Sequence, residues 1–320
     1  MISGVLTIVF LVLGFVLLVK GADFFVEGSS SIAKTLKVPS LVIGMTVVAM
    51  GTSLPELSVS VTASLNNANS LAISNVVGSN LFNLVVVLGA SALVCNIPVS
   101  RDVLRRDLPF SIFCAVLLVV LGLIGNGLGH VDGIILLLVF VVFLVSMVRA
   151  ALKHRESVAA AGEEEEIKVL PIWKSLLFIV GGAVAIKFGG DFVVNSAVAI
   201  AKVLGASETL IGLTIVACGT SLPELATSMV AAKKNEMDMA VGNVVGSNVF
   251  NILLILGAAA AISPVALLPE NIIDIVVLLA ASLVIMAFSW SRKVIDRKEG
   301  VTMLVFYVAF LGYIIARAYL

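Results

Sequence analysis

Runs of about 18 or more apolar residues recur from one end of the chain to the other, each long enough to cross a bilayer as a helix. This pattern leaves few folds open. In hydrocarbon every backbone N–H and C=O must find its partner inside the protein, so only helices and closed barrels span a membrane. Barrel strands would show as short segments of alternating polarity, whereas these runs are continuous. The composition fits: 60% of the 320 residues are hydrophobic, 12% are charged, and the mean hydropathy is +1.18. The chain reads as an all-α, multi-pass membrane protein whose partner is the lipid bilayer and not nucleic acid.

Spans are expected near 3–19, 39–64, 71–95, 107–125, 131–149, 172–189, 207–232, 238–262, 272–289 and 301–318, ten transmembrane helices in all. Met1 to Gly4 carries no basic residue, so the first run reads as a retained span and not a signal peptide. Of the 20 Lys and Arg, all but Lys187, Lys202 and Arg317 fall on one side of the ten-span scheme. The positive-inside rule makes that side cytoplasmic, with both termini extracellular and the loop at 150–171 inside. Cys95, Cys114 and Cys218 lie in separate spans as small apolar fillers, and His130 and His154 are too far apart in sequence to suggest a metal site. Trp173 and Trp290 sit near span ends, as interfacial anchors do.

The second half repeats the first. "IGMTVVAMGTSLPEL" at 43–57 matches "IGLTIVACGTSLPEL" at 211–225, and "NVVGSNLFN" at 75–83 matches "NVVGSNVFN" at 243–251, with a constant offset of 168. Asp23 meets Asp191 at the same offset. Five spans before the linker and five after it put the second copy upside down. The fold expected is therefore two inverted-topology five-helix repeats, 1–149 and 172–320, joined by a cytoplasmic linker at 150–171. Inverted repeats with Gly- and Pro-interrupted helices at matching positions point to a secondary transporter with a site near the midplane. The linker run Glu163 to Glu166 reads as a solvated acidic loop.

The duplicated motif has a chemistry. A carboxylate at mid-membrane costs about 2.5–3.5 kcal/mol even on lenient scales, so Glu56 and Glu224 need a compensating partner. Around them the sequence offers oxygen: Thr52, Ser53, Ser79 and Asn83 in one copy, Thr220, Ser221, Ser247 and Asn251 in the other. No Lys, Arg or His lies within either motif, and the missing positive charge is most simply a bound metal ion. Pro55 and Pro223 should break their helices and free carbonyls over Ala49–Thr52 and Ala217–Thr220. Asn75, Ser79 and Asn83 form a four-residue ladder, repeated at Asn243, Ser247 and Asn251. Asn80, Asn248, Ser60 and Ser228 read as packing contacts. Hard oxygens with two carboxylates suit calcium, and they also suit sodium; a soft metal would need Cys or His. A channel would be built from symmetric subunits, and an intramembrane enzyme would need a nucleophile–base pair that Ser53 and Glu56 do not supply. No catalytic role and no cofactor is expected.

The paired "GTSLPEL" and "NVVGSNxFN" segments resemble the alpha repeats of sodium/calcium exchangers in the calcium/cation antiporter superfamily, here at about 39–95 and 207–262. The resemblance implies a prokaryotic-type antiporter of the cell membrane, moving Ca2+ and Na+ by alternating access. It implies Glu56 and Glu224 as main calcium ligands, helped by backbone oxygens of Thr52 and Thr220. Sodium would use the same carboxylates with Ser53, Ser221, Ser79, Ser247 and the carbonyls of Ala49 and Ala217, with Asn83 and Asn251 completing the site. Potassium-coupled relatives carry Asp at the position of Asn251, so its amide favours exchange without potassium. By the same resemblance, spans 1 and 6 would be moving gates. Calcium/proton or other cation/proton exchange through the same two glutamates is the alternative.

Overall fold

The computed structural model describes residues 4–66, 69–125, 127–161 and 169–319; Glu163 to Glu166 lie outside them. The protein is built from helices that we number in chain order. They are α1 (Gly4–Leu36), α2 (Ser40–Thr52), α3 (Leu54–Leu65), α4 (69–94), α5 (Val103–Ile124) and α6 (His130–Ala161), then α7 (Ile172–Val203), α8 (208–219), α9 (Leu222–Lys233), α10 (Met237–Ile262), α11 (Pro269–Arg292) and α12 (Arg297–Tyr319). Among the described residues eight of these are long and apolar enough to cross a membrane, and α2 with α3, bent by 51° at Ser53, passes the same test as a pair. The repeat-related pair α8 and α9 is interrupted at Thr220 and Ser221.

Two expected boundaries are corrected. The span placed at 3–19 is the front half of a 33-residue helix, and the span placed at 172–189 belongs to a 32-residue one. Lys20, Asp23 and Asp191 therefore sit inside helices, and Lys34 lies in the last turn of α1. A scatter of charges lowers local hydropathy without breaking a helix, because Gly21, Ala22, Phe25, Val26, Ser29 and Ala33 continue a buried face past Lys20. A third boundary moves similarly, since α6 runs on to Ala161.

α1 and α7 pack antiparallel along much of their length. Contact is closest at Gly14 against Gly189, Gly21 against Gly182, and Gly28 against Ser175, seven residues apart on each helix. A methyl group on Gly182 would lie 2.7 Å from the Gly21 carbonyl oxygen, so the missing side chains are what let the backbones touch. This pair is peripheral, as α5, α6, α11 and α12 are: within its most apolar 18-residue stretch, 22% of α1 and 28% of α7 is buried. The α4 and α10 spans, each 78% buried, form the centre. α2 packs on α10, with Gly44 and Gly246 allowing close approach to Met239 and Met45.

Two short strand pairings tie the halves together. Ile97–Pro98, after α4, pairs with Val294–Ile295, between α11 and α12; Gly127–Leu128, between α5 and α6, pairs with Val265–Ala266, after α10. The connection after the third span of one half thus meets, both times, the connection before the last span of the other. Copies of the same orientation would bring like connections to one face.

Candidate functional site

Glu56 and Glu224 begin α3 and α9, in the first turn after each break. Pro55 and Pro223 occupy the second position of those helices, where a missing N–H costs nothing. Both carboxylates are completely buried. The ion pairs among the described residues all lie elsewhere. The halves reach across to each other: Ser53 Oγ donates to Glu224 Oε1 at 2.9 Å, and Ser221 Oγ donates to Glu56 Oε1 at 3.0 Å. Each serine thus holds the glutamate of the opposite repeat.

The remaining oxygens have no protein partner. Glu56 Oε2, Glu224 Oε2, Ser79 Oγ, Ser247 Oγ, Thr220 Oγ1, Asn251 Oδ1 and both side-chain polar atoms of Asn83 are buried without a hydrogen bond. An unsatisfied buried polar atom costs about 1–3 kcal/mol, more when charged. So many at one level of the molecule fit a place where an external cation supplies the partners. Among the described residues no group of three or more His, Cys, Asp or Glu is arranged to hold a metal. The charge of the site is therefore that of two carboxylates, and the other donors are neutral. Two negative charges offset by one divalent ion, or by monovalent ions, are what hard-oxygen coordination of Ca2+ or Na+ requires.

Local backbone geometry places these groups. Helical turns of five residues, wider than an α-turn, occur at Gly44–Val48 and Gly212–Val216 before the breaks, and at Phe82–Val87 and Asn251–Leu256 on α4 and α10. Such turns shift the face that follows and occur often at functional sites. Thr46 and Thr214 hydroxyls donate to the carbonyls of Val42 and Leu210 inside the first pair, each at 2.6 Å. Ala49 differs from expectation: its carbonyl is not freed but accepts the Ser53 N–H at 3.0 Å and lies 3.3 Å from the Thr52 hydroxyl.

The two breaks are not equivalent. Both glycines are covered, Gly51 by the Phe25 ring of α1 and Gly219 by Val194 of α7, and the difference lies in the flanking residues: Ala49 and Thr52 are buried. Ala217 is exposed and Thr220 half-buried. A cavity of about 180 Å³ reaches that second break, lined by Pro55, Ser58, Asp191, Asn195, Thr220 and Pro223 among others. At the opposite face α1 is pinned instead: Lys234, at the end of α9, pairs with Asp23 at 2.7 Å and Glu27 at 3.4 Å, and Glu236 accepts from Ser30 and pairs with Lys34.

Asn80 and Asn248 exchange amide-to-carbonyl bonds of 3.2 Å between α4 and α10, and Asn251 Nδ2 donates to Asn80 Oδ1 at 2.9 Å. Sequence reasoning missed what Asn75 and Asn243 do: Asn243 bonds Ser228 at 2.9 Å and Thr52 at 3.2 Å, and Asn75 bonds Ser60 at 3.0 Å. Their place at the head of the duplicated "NVVGSN" run was the available signal.

Comparison with known proteins gives this arrangement a family. The model of the sodium/calcium exchanger protein family matches residues 6–149 and 174–316, one segment in each half. The sodium/calcium exchanger MaX1 of Methanosarcina acetivorans is 33% identical, over 94% of this chain and 96% of its own. CaxA of Alkalimonas amylolytica is 38% identical over 95% and 96%. Among solved structures, the sodium–calcium exchanger NCX_Mj soaked with Na+ and Sr2+ superposes with a TM-score of 0.84 at 33% identity, covering 97% of this chain and 99% of that one. The chain belongs to the sodium/calcium exchanger family and is a membrane antiporter of sodium and calcium ions, not an enzyme.

Proposed function

We propose that exchange proceeds by alternating access around the buried pair Glu56 and Glu224, with Ca2+ and Na+ taking turns at one midplane site. One observation carries the reading: two fully buried carboxylates, one from each half, face each other's serines, each with an unpartnered oxygen and neither in an ion pair among the described residues. Glu56 and Glu224 hold calcium in this reading, with the backbone oxygens of Thr52 and Thr220. Sodium uses the same carboxylates with Ser53, Ser221, Ser79, Ser247, Ala49 and Ala217, and Asn83 and Asn251 complete the centre.

The reading includes ten spans, with α2–α3 and α8–α9 each counted as one broken helix, divided as 1–149, linker 150–171 and 172–320. The crossed strand pairings and the antiparallel packing of α1 on α7 support inverted halves. The Lys and Arg distribution supports a cytoplasmic linker and extracellular termini. In that orientation the cavity at Thr220 opens outward, while the Lys234 and Glu236 contacts close the cytoplasmic side. One side open and the other covered is one of the two states that alternation needs.

Calcium flux into proteoliposomes tests the coupling. Uptake driven by an outward sodium gradient, and unaffected by a pH gradient of the same size, is the expected outcome. Uptake that follows the pH gradient and ignores sodium would replace sodium coupling with proton coupling through the same glutamates.

A further inference from the structure

Asn243 on α10 is fully buried and uses its whole amide. Its Nδ2 donates to Ser228 Oγ at 2.9 Å and to the Glu224 backbone oxygen at 3.5 Å, while its Oδ1 lies 3.2 Å from the Thr52 hydroxyl, whose one proton it shares with the Val48 and Ala49 carbonyls at 3.1 and 3.3 Å. One side chain thereby ties the start of the helix carrying Glu224 to the break carrying Thr52, which belongs to the other repeat. Asn75 on α4 is its mate at the 168 offset and makes the same two donor bonds, to Ser60 Oγ at 3.0 Å and to the Glu56 backbone oxygen at 3.4 Å. The third bond is absent, because Thr220 Oγ1 is buried with no partner. Within this set of mirrored contacts the threonine bond alone breaks the symmetry. It is made at the break whose threonine is fully buried and unmade at the break whose threonine lines the cavity.

We propose that Asn75 and Asn243 are positioning residues for exchange, each accepting the opposite repeat's threonine when that threonine's side is closed. Here Thr52–Asn243 is made and the Thr220 side is open. In the other state Thr220–Asn75 is made and Thr52 is released. Each state keeps one such bond, so the swap leaves the two near balance while moving the threonine and the adjacent serine at each break together. Neither asparagine carries charge, and each bonds the backbone of the glutamate in its own repeat, so their role is to place the ligands. This inference rests on the alternating-access reading.

The test uses the full chain in detergent, without Cys95, Cys114 and Cys218, carrying a single reporter cysteine at either Ser58 or Ala226. Ser58 lines the open cavity, and Ala226 is its mate at the 168 offset. The readout is the ratio of thiol labelling rates at the two positions. Losing one hydrogen bond should change it about three- to tenfold. Asn243→Ala lowers the Ser58 to Ala226 ratio, and Asn75→Ala raises it. Thr52→Val follows the first, Thr220→Val follows the second, and these two carry the test if either asparagine variant fails to fold. If Asn75→Ala and Asn243→Ala, or Thr52→Val and Thr220→Val, shift the ratio in the same direction, as a merely structural role would, the proposal is overturned; so it is by a ratio that stays put. The parent protein separates this from failure of the underlying reading. If its own ratio ignores exchange of sodium for calcium, alternating access falls; if it responds and the variants do not diverge, only the asparagine assignment falls.

Discussion

Glu56 and Glu224 do together what neither could do alone. Each is fully buried, each is met by the other repeat's serine, and each keeps one oxygen free. Replacing either by Gln preserves shape and removes a charge that a divalent ion needs where water is excluded. Breaking a buried charge pairing costs about 3–5 kcal/mol. Glu56→Gln and Glu224→Gln should each lower sodium-driven calcium flux by more than about a hundredfold, in protein that still elutes as a folded species. Flux near the parent rate in either variant would remove it from the ligand set. Asn80 plays a different part, since it bonds Asn248 and Asn251 in the buried centre. Asn80→Ala strands a carbonyl and an amide, each at about 1–3 kcal/mol. Its unfolding temperature in detergent should fall clearly below that of the parent, and an unchanged temperature would show that water replaces those bonds.

At the scale of elements, burial separates a centre from a rim. α4 and α10 are enclosed, while α1 and α7 lie at the edge, joined to each other by glycine contacts and to the rest of the protein by fewer ones. If the first and sixth spans are gates, as the family resemblance implies, the facing glycines would make α1 and α7 move together, and the Lys234 and Glu236 contacts that hold α1 would have to break. Two adjacent glycines of α7 separate helix contact from mere side-chain bulk. A Cβ on Gly182 would press within 2.7 Å of Gly21 and Phe25 backbone atoms, whereas a Cβ on Gly181 would meet nothing within 4 Å. Gly182→Val should therefore lower stability by about 1–3 kcal/mol and depress exchange, while Gly181→Val changes both little. Equal effects of the two on melting and flux would mean that the close approach is dispensable.

For the molecule as a whole, orientation follows from the charges. The end of α6 carries Lys153 and Arg155 on the face assigned to the cytoplasm. A cysteine at Ser157, in the cysteine-free chain, should react with an impermeant thiol reagent in inverted membrane vesicles and not in intact cells. Labelling in intact cells would reverse the orientation and with it the side to which the Thr220 cavity opens.

What the sequence by itself determined is what local chemistry can encode. Apolar runs specify helices in lipid, a constant 168-residue offset specifies two related halves, and a glutamate beside serine, threonine and proline in hydrocarbon specifies an ion site. Tertiary structure decided the rest, because it depends on partners far apart in the chain. Hydropathy ended the first span at Lys20, although the helix continues to Leu36; only contact with α7 and α9 shows what its charged turns are for. Ser53 lies three residues from Glu56 in the sequence, yet its hydroxyl serves Glu224, 171 residues away. Most of all, the two "GTSLPEL" copies are identical in sequence, so nothing local could set Thr52 apart from Thr220. One is fully buried and reaches Asn243, and the other stands unbonded at a cavity. Packing around identical motifs, and not the motifs themselves, breaks their symmetry.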